Sequence, residues 1–242
     1  MTRFAEHGTT TSPLVPLGLF RLRNLSTSSV VGVLWAAAMF AWFFLSALYL
    51  QLVLGYSALQ VGLAFLPGNL VMGVMSVGVS ARLVMRFGIK KPLSAGLYIA
   101  AFGLLLLARA PVDGSYAIDV LPSMVLLGLG AGIAFNPVLL AAMSEVEPQD
   151  AGLASGVVNT AFMMGGALGL AVLASLAASR TDTLLGSGES HAAALVGGYH
   201  AAFLVGALCA AAAAAIGAAL LRVATPAAAH TPAGEPALAT CD

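Results

Sequence analysis

VVGVLWAAAMFAWFFLSALYL (residues 30–50), QLVLGYSA (51–58) and LQVGLAFLPGNLVMGVMSVGVSA (59–81) follow one another without an aspartate, glutamate, lysine or arginine. The first and third blocks can each cross a bilayer: at about 1.5 Å per helical residue, about 20 residues span the roughly 30 Å hydrocarbon layer. Gly55-Tyr56-Ser57 between them is a turn signal. Outward along the chain the pattern recurs in Leu93–Ala108, completed by Pro92 and Arg109, and in Val120–Met143, Gly152–Ala178 and Tyr199–Leu221. All 10 Lys+Arg and 10 Asp+Glu residues fall in the polar islands between these blocks. One charge at a helix centre costs about 2.5–3.5 kcal/mol on insertion scales, and the six cores avoid it. Only 8% of residues are charged and 60% are hydrophobic, against about a quarter charged in soluble domains. The sequence therefore predicts an all-α membrane protein, a bundle of six transmembrane helices at about 30–50, 59–81, 92–109, 120–143, 151–178 and 199–221.

Basic residues set the expected orientation. Arg3, Arg21, Arg23, Arg82, Arg86, Lys90, Lys91 and Arg222 collect on one side, and only Arg109 and Arg180 lie on the other. By the positive-inside rule both termini are cytoplasmic, which an even number of spans in the cell membrane requires. Residues 1–27 are read as a cytoplasmic segment, 28–222 as the bundle and 223–242, rich in alanine and proline, as a disordered cytoplasmic tail. Met1–Pro13 is polar and has no apolar core, so the first span is expected to serve as an uncleaved signal anchor.

Other chemistries are poorly supplied. Cys209 lies in span six and Cys241 in the tail, which argues against a disulfide. His7, His191, His200 and His230 lack ligand spacing, so no metal and no cofactor is expected. Zero net charge without a basic-aromatic patch gives nothing for nucleic acid to bind. A serine-histidine dyad of Ser155 and His200 fails on topology, because the two residues start their spans on opposite sides of the membrane.

Within the membrane the chain is small, bent and mildly polar. Gly128 and Gly132, Gly152 and Gly156, and Gly165 and Gly169 form small-xxx-small pairs that let backbones approach. Pro67-Gly68-Asn69 and Asn136-Pro137 are expected to interrupt spans two and four, freeing carbonyls that must face protein or a water-filled cavity. Ser46, Asn69, Ser76, Asn136, Asn159 and Thr160 are the few polar groups at depth. Trp35, Met39, Trp42, Ser46 and Tyr49 recur near helical spacing on span one, beside Phe40, Phe43 and Phe44. Tyr49 is read as an interfacial belt residue. The spans contain no acid to carry a proton or attract a cation.

At these residues the chain resembles the drug:proton antiporters with fourteen spans in the major facilitator superfamily. The resemblance rests on Leu19-Phe20-Arg21-Leu22-Arg23-Asn24, Tyr49-Leu50-Gln51, Gly55-Tyr56-Ser57, Gly62 and Leu66-Pro67. It continues in Gly128, Gly132 and Pro137, and is densest from Ala151 to Thr160 and from Gly165 to Gly169. Arg82, Arg86, Gly88, Lys90 and Lys91 resemble the superfamily's cytoplasmic gating loop, with Met85 where an acid is often found. Phe162 and Met163 stand where the family often has an Arg-Gln pair, so a polar contact is replaced by apolar packing.

The resemblance implies that the six spans correspond to the C-terminal half of a multidrug efflux carrier, half of the major facilitator fold. Its partners would be the lipid bilayer, an N-terminal six-span half or a second copy, and a small apolar or cationic substrate. Family geometry implies spans one and four on the substrate cavity, two and five against the other bundle, and three and six outside. Trp42, Phe43 and Asn136 are then expected to contact substrate, and Asn69, Asn159, Gly165 and Gly169 to lie at the interface. A homodimeric facilitator without proton coupling is one alternative. A non-transporting truncated product or membrane interaction protein is another.

Overall fold

The computed structural model describes residues 22–221; most of the segment expected at 1–27, and the tail 223–242, lie outside the described residues. Six helical rods are long and apolar enough to cross a membrane: Arg23–Val53, Ala58–Phe87, Lys90–Leu107, Tyr116–Met143, Ala151–Gly186 and His191–Leu220. In finer detail α1 (Arg23–Leu48) closes in a π-helical turn, Tyr49–Val53. Helix α2 (Ala58–Val74) passes through a π segment, Met75–Ser80, into α3 (Ala81–Phe87). Helix α4 (Lys90–Leu107) follows, then a π turn, Tyr116–Val120, leading into α5 (Leu121–Met143). Helices α6 (Ala151–Gly186) and α7 (His191–Leu220) complete the bundle.

Several helices outrun the apolar blocks that announced them. Helix α1 starts at Arg23, α6 continues past Arg180 and Asp182, and α7 begins at His191. Charge limits what the hydrocarbon accepts, whereas backbone hydrogen bonding continues into the aqueous layer. Local chemistry fixes the remaining ends. Ser57 opens α2 with a reciprocal capping box: its Oγ accepts from Gln60 N–H while its own N–H donates to Gln60 Oε1. Gly55 and Gly188, at φ +70° and +91°, turn the chain at one end of the bundle, and Gly88, at φ +74°, turns it at the other.

Helix α1 packs on α6 and α7, α4 on α5 and α7, and α2 on α5. Glycine permits the closest crossings. A Cβ on Gly96 of α4 would sit 2.7 Å from the Gly130 carbonyl oxygen of α5, and one on Gly128 would strike the Gly68 carbonyl of α2. The core between the helices is filled by Trp35, Trp42, Tyr49, Leu97, Leu104, Met124 and Phe203.

The two prolines do not interrupt their helices as expected. Helices α2 and α5 run through Pro67 and Pro137. Pro137 has no N–H for the carbonyl of Ile133, four residues earlier. That carbonyl instead accepts the buried Ser80 hydroxyl at 3.1 Å. In return, Asn136 Nδ2 donates to the Ser76 carbonyl at 2.7 Å, inside the π segment of the facing helix. Each helix thus satisfies a carbonyl at the irregular turn of the other.

Polar clasps gather the ends. Arg23 Nε donates to the Leu220 carbonyl, which brings the start of α1 to the end of α7. Beside it, the first turn of α1 donates the Asn24 N–H to Glu145 Oε2 at 3.0 Å, and Asn24 Nδ2 to Ser144 Oγ at 3.0 Å. A carboxylate at a helix N-terminus is favoured by the exposed N–H groups there. At the opposite end, Tyr49 OH donates to the Pro111 carbonyl at 2.7 Å and His200 Nε2–H to the neighbouring Ala110 carbonyl at 2.8 Å. Tyr49 is therefore not the interfacial belt residue expected: it is 2% exposed and its hydroxyl is used to hold the connection from α4 to α5.

Candidate functional site

Faces of α1, α5 and α6 meet around a cavity of about 260 Å³ that opens on one side of the bundle. Helix α6 lends Ser155, Val158, Asn159, Phe162 and Met163, a set at i, i+3, i+4, i+7 and i+8 that shares one face. Helix α5 lends Phe135, Val138 and Leu139, and α1 lends Trp35. Phe162 holds an edge-on contact with Phe135, ring centroids 6.5 Å apart, and another with Phe40 at 6.3 Å. The apolar packing expected where the family often has Arg-Gln is what Phe162 and Met163 supply.

Trp35 is buried, and its indole N–H has no hydrogen-bond partner. An unsatisfied buried donor costs about 1–3 kcal/mol. Ser155 and Asn159 add a hydroxyl and an amide on the α6 wall, where both residues are exposed.

The residues expected to contact substrate do not share this cavity. Trp42 is sealed in the core at 0% exposure, with its N–H on Met124 Sδ at 3.2 Å. Phe43 is half-buried, stacked on Phe65 with centroids 5.5 Å apart, and lines a separate hollow with Met39, Phe40, Phe44, Ala47 and Leu170. Asn136 is committed to Ser76.

Among the residues expected at an interface, Asn69 and Asn159 are exposed, Asn159 within the cavity. Gly165 and Gly169 lie against α1 of the same bundle. A Cβ on Gly165 would stand 2.7 Å from Val33 Cα, and one on Gly169 would strike Ala37. Their packing is thus within the bundle. The third pair differs, for Cβ atoms on Gly152 and Gly156 would meet nothing within 4 Å.

Arg82, Arg86 and Lys91 are exposed and Lys90 half-buried around the Gly88 turn. The Arg86 guanidinium lies over the Phe87 ring, 5.3 Å from its centroid. This group sits at the same end of the bundle as Asn24, Glu145 and Leu220. Ser155 and His200 are kept apart: one lines the cavity while the other holds the Ala110 carbonyl.

Sequence reading missed Trp35, Phe135, Leu139, Ser155, Phe162 and Met163 as one site. The i, i+4 spacing of Ser155 and Asn159 was available as a signal, and so was that of Phe135 and Leu139. What faces those rows is a property of the assembled bundle.

An all-helical bundle of six membrane-crossing rods, with a small apolar cavity among three of them, has the architecture of a membrane carrier. Residues 2–170 match the model of the Major Facilitator Superfamily, and the chain belongs to that superfamily. It is 38% identical over 172 residues to a cephamycin export protein of Amycolatopsis lactamdurans, covering 71% of this chain and 35% of that protein. It is 37% identical over 204 residues to a puromycin resistance protein of Streptomyces alboniger, covering 81% and 41%. A tetracenomycin C resistance and export protein of Streptomyces glaucescens is 37% identical over 172 residues, covering 70% and 31%. The chain spans less than half the length of these curated relatives.

Proposed function

We propose that these six spans form the C-terminal bundle of a multidrug exporter of the fourteen-span drug:proton antiporter type. They work with an N-terminal six-span bundle in the cell membrane, both termini cytoplasmic. The observation that carries this reading is the uneven burial of the spans. Only 17% of the apolar window of α2 and its extension, and 22% of that of α6, is buried inside the bundle, against 39–61% for the other four. The open faces are not simply lipid-like. Gly62, Asn69 and Gly73 on α2, and Gly152, Gly156, Asn159 and Thr160 on α6, are exposed, a mixture of small and amide-bearing residues that suits helix packing. Between these faces lies the cavity, where a second bundle would enclose a substrate near the midplane.

The relatives' names supply the substrate class: antibiotics and other small apolar or cationic molecules. No acid occurs in the apolar cores of the spans, so the groups that couple export to protons belong to the other bundle. Arg82, Arg86, Gly88, Lys90 and Lys91 serve as its cytoplasmic gate contacts.

The test is complementation. This chain and the N-terminal half of a related exporter are expressed separately and together in a puromycin-sensitive host, and proton-driven puromycin efflux is measured in everted vesicles. Efflux is expected only with both halves. Efflux by this chain alone would overturn the reading in favour of a homodimeric facilitator, and failure of correctly inserted halves to complement would favour a non-transporting membrane protein.

A further inference from the structure

The cavity between α1, α5 and α6 has a selective chemistry. Trp35, Phe135 and Phe162 bound it with aromatic rings, and none of its lining residues carries a charge. Its volume, about 260 Å³, lies just under the ~300–1,000 Å³ typical of drug-sized pockets, which suits two or three fused rings. A cation held there would have no counter-charge and an anion no basic partner, so either would lose hydration without return.

Hydrogen-bonding capacity is one-sided. Ser155 and Asn159 stand one turn apart on α6, with no protein partner among the described residues. Trp35 contributes an N–H that is buried and unpaired, while the other indole of the chain, Trp42, gives its N–H to Met124 Sδ. An indole can only donate, so Trp35 asks for an acceptor.

We propose that this cavity binds an uncharged, flat aromatic molecule bearing a carbonyl oxygen, which accepts from Trp35 Nε1–H and lays its polar edge along Asn159 and Ser155. The N–H is out of reach of water, so the ligand meets it by displacing a neighbouring wall side chain. Phe135, 49% exposed, is free to swing. That the ligand is a transported substrate rests on the carrier reading above, whereas the binding does not.

The full chain in lipid nanodiscs tests this with three probes of similar shape: 9-fluorenone, fluorene, which lacks the carbonyl, and the cation 10-methylacridinium. Saturable binding is measured by calorimetry, after subtraction of partition into nanodiscs without protein. One net hydrogen bond corresponds to about fivefold in affinity, so fluorenone is expected to bind about fivefold more tightly than fluorene, and more tightly than the cation. Trp35→Phe keeps the ring and removes the donor: the preference should fall below about twofold with fluorene affinity unchanged. Asn159→Leu, on an exposed wall, should weaken fluorenone relative to fluorene without touching the core. Leu139→Trp, filling the cavity from an exposed position, should abolish saturable binding of both.

Absence of saturable fluorenone binding overturns the proposal, as does a preference that survives both Trp35→Phe and Asn159→Leu. Tighter binding of 10-methylacridinium, or binding undiminished in Leu139→Trp, overturns it equally. Failed complementation with intact fluorenone binding would sink the carrier reading alone, and the converse would sink this inference alone.

Discussion

At the scale of single residues, Ser80 and Asn136 show what a proline costs inside a membrane helix. The Ile133 carbonyl, left without an N–H by Pro137, takes the Ser80 hydroxyl, and Asn136 answers with a donor to Ser76. Ser80→Ala should therefore lower bundle stability in detergent by about 0.5–2 kcal/mol, within the range for interhelical hydrogen bonds. Pro137→Ala restores the missing N–H. In that background the Ser80→Ala loss should shrink towards zero, which a double-mutant cycle read by thermal unfolding will reveal. Equal losses in both backgrounds would show that Ser80 acts only through packing. In the sequence, Asn136-Pro137 identified the irregular turn but not its outcome. A freed carbonyl is legible from the proline four residues on, whereas its partner, 53 residues away in the chain, emerges only when α2 meets α5.

At the scale of helices, the small-xxx-small pairs looked alike in sequence and separate in structure. Gly165 and Gly169 accept α1, Gly128 accepts α2, and Gly152 and Gly156 face open space. Spacing reports which residues share a helix face but not what that face meets. The six spans themselves were legible because hydrocarbon excludes charge along every one of them, a constraint that needs no tertiary information. Bulky substitutions turn this distinction into an expected outcome. Gly165→Leu and Gly169→Leu should push α6 off α1 and unfold the bundle at lower temperature, an overpacking loss of about 1–3 kcal/mol. Gly152→Leu and Gly156→Leu should leave the melting temperature of the purified chain within about 2 °C, because a surface substitution shifts stability by under ~0.5 kcal/mol. If α2 and α6 receive the second bundle, these two substitutions should nonetheless reduce complementation. Full complementation by Gly156→Leu would show that this stretch of α6 faces lipid.

At the scale of the whole molecule, the clasps divide the bundle into two unlike ends. One end holds the Arg23–Leu220 and Asn24–Glu145 contacts with the Arg82 to Lys91 turn, and the other holds the Tyr49 and His200 contacts to residues 110 and 111. Basic residues are concentrated at the first, and the positive-inside rule makes that end cytoplasmic. The dimensions make the assignment testable, since turns at opposite ends are separated by roughly 30 Å of hydrocarbon. In a variant with Cys209 and Cys241 replaced by alanine, Ser57→Cys and Ser187→Cys report one end and Arg86→Cys the other. Ser57 and Ser187 are exposed, as is Arg86, so access depends on side rather than burial. A membrane-impermeant maleimide applied to intact cells should label the first two and spare the third, and everted vesicles should reverse the pattern. Labelling of Arg86→Cys from outside would invert the bundle. It would also place the basic turn where no cytoplasmic gate can act, so the gate assignment and the orientation stand or fall on one experiment.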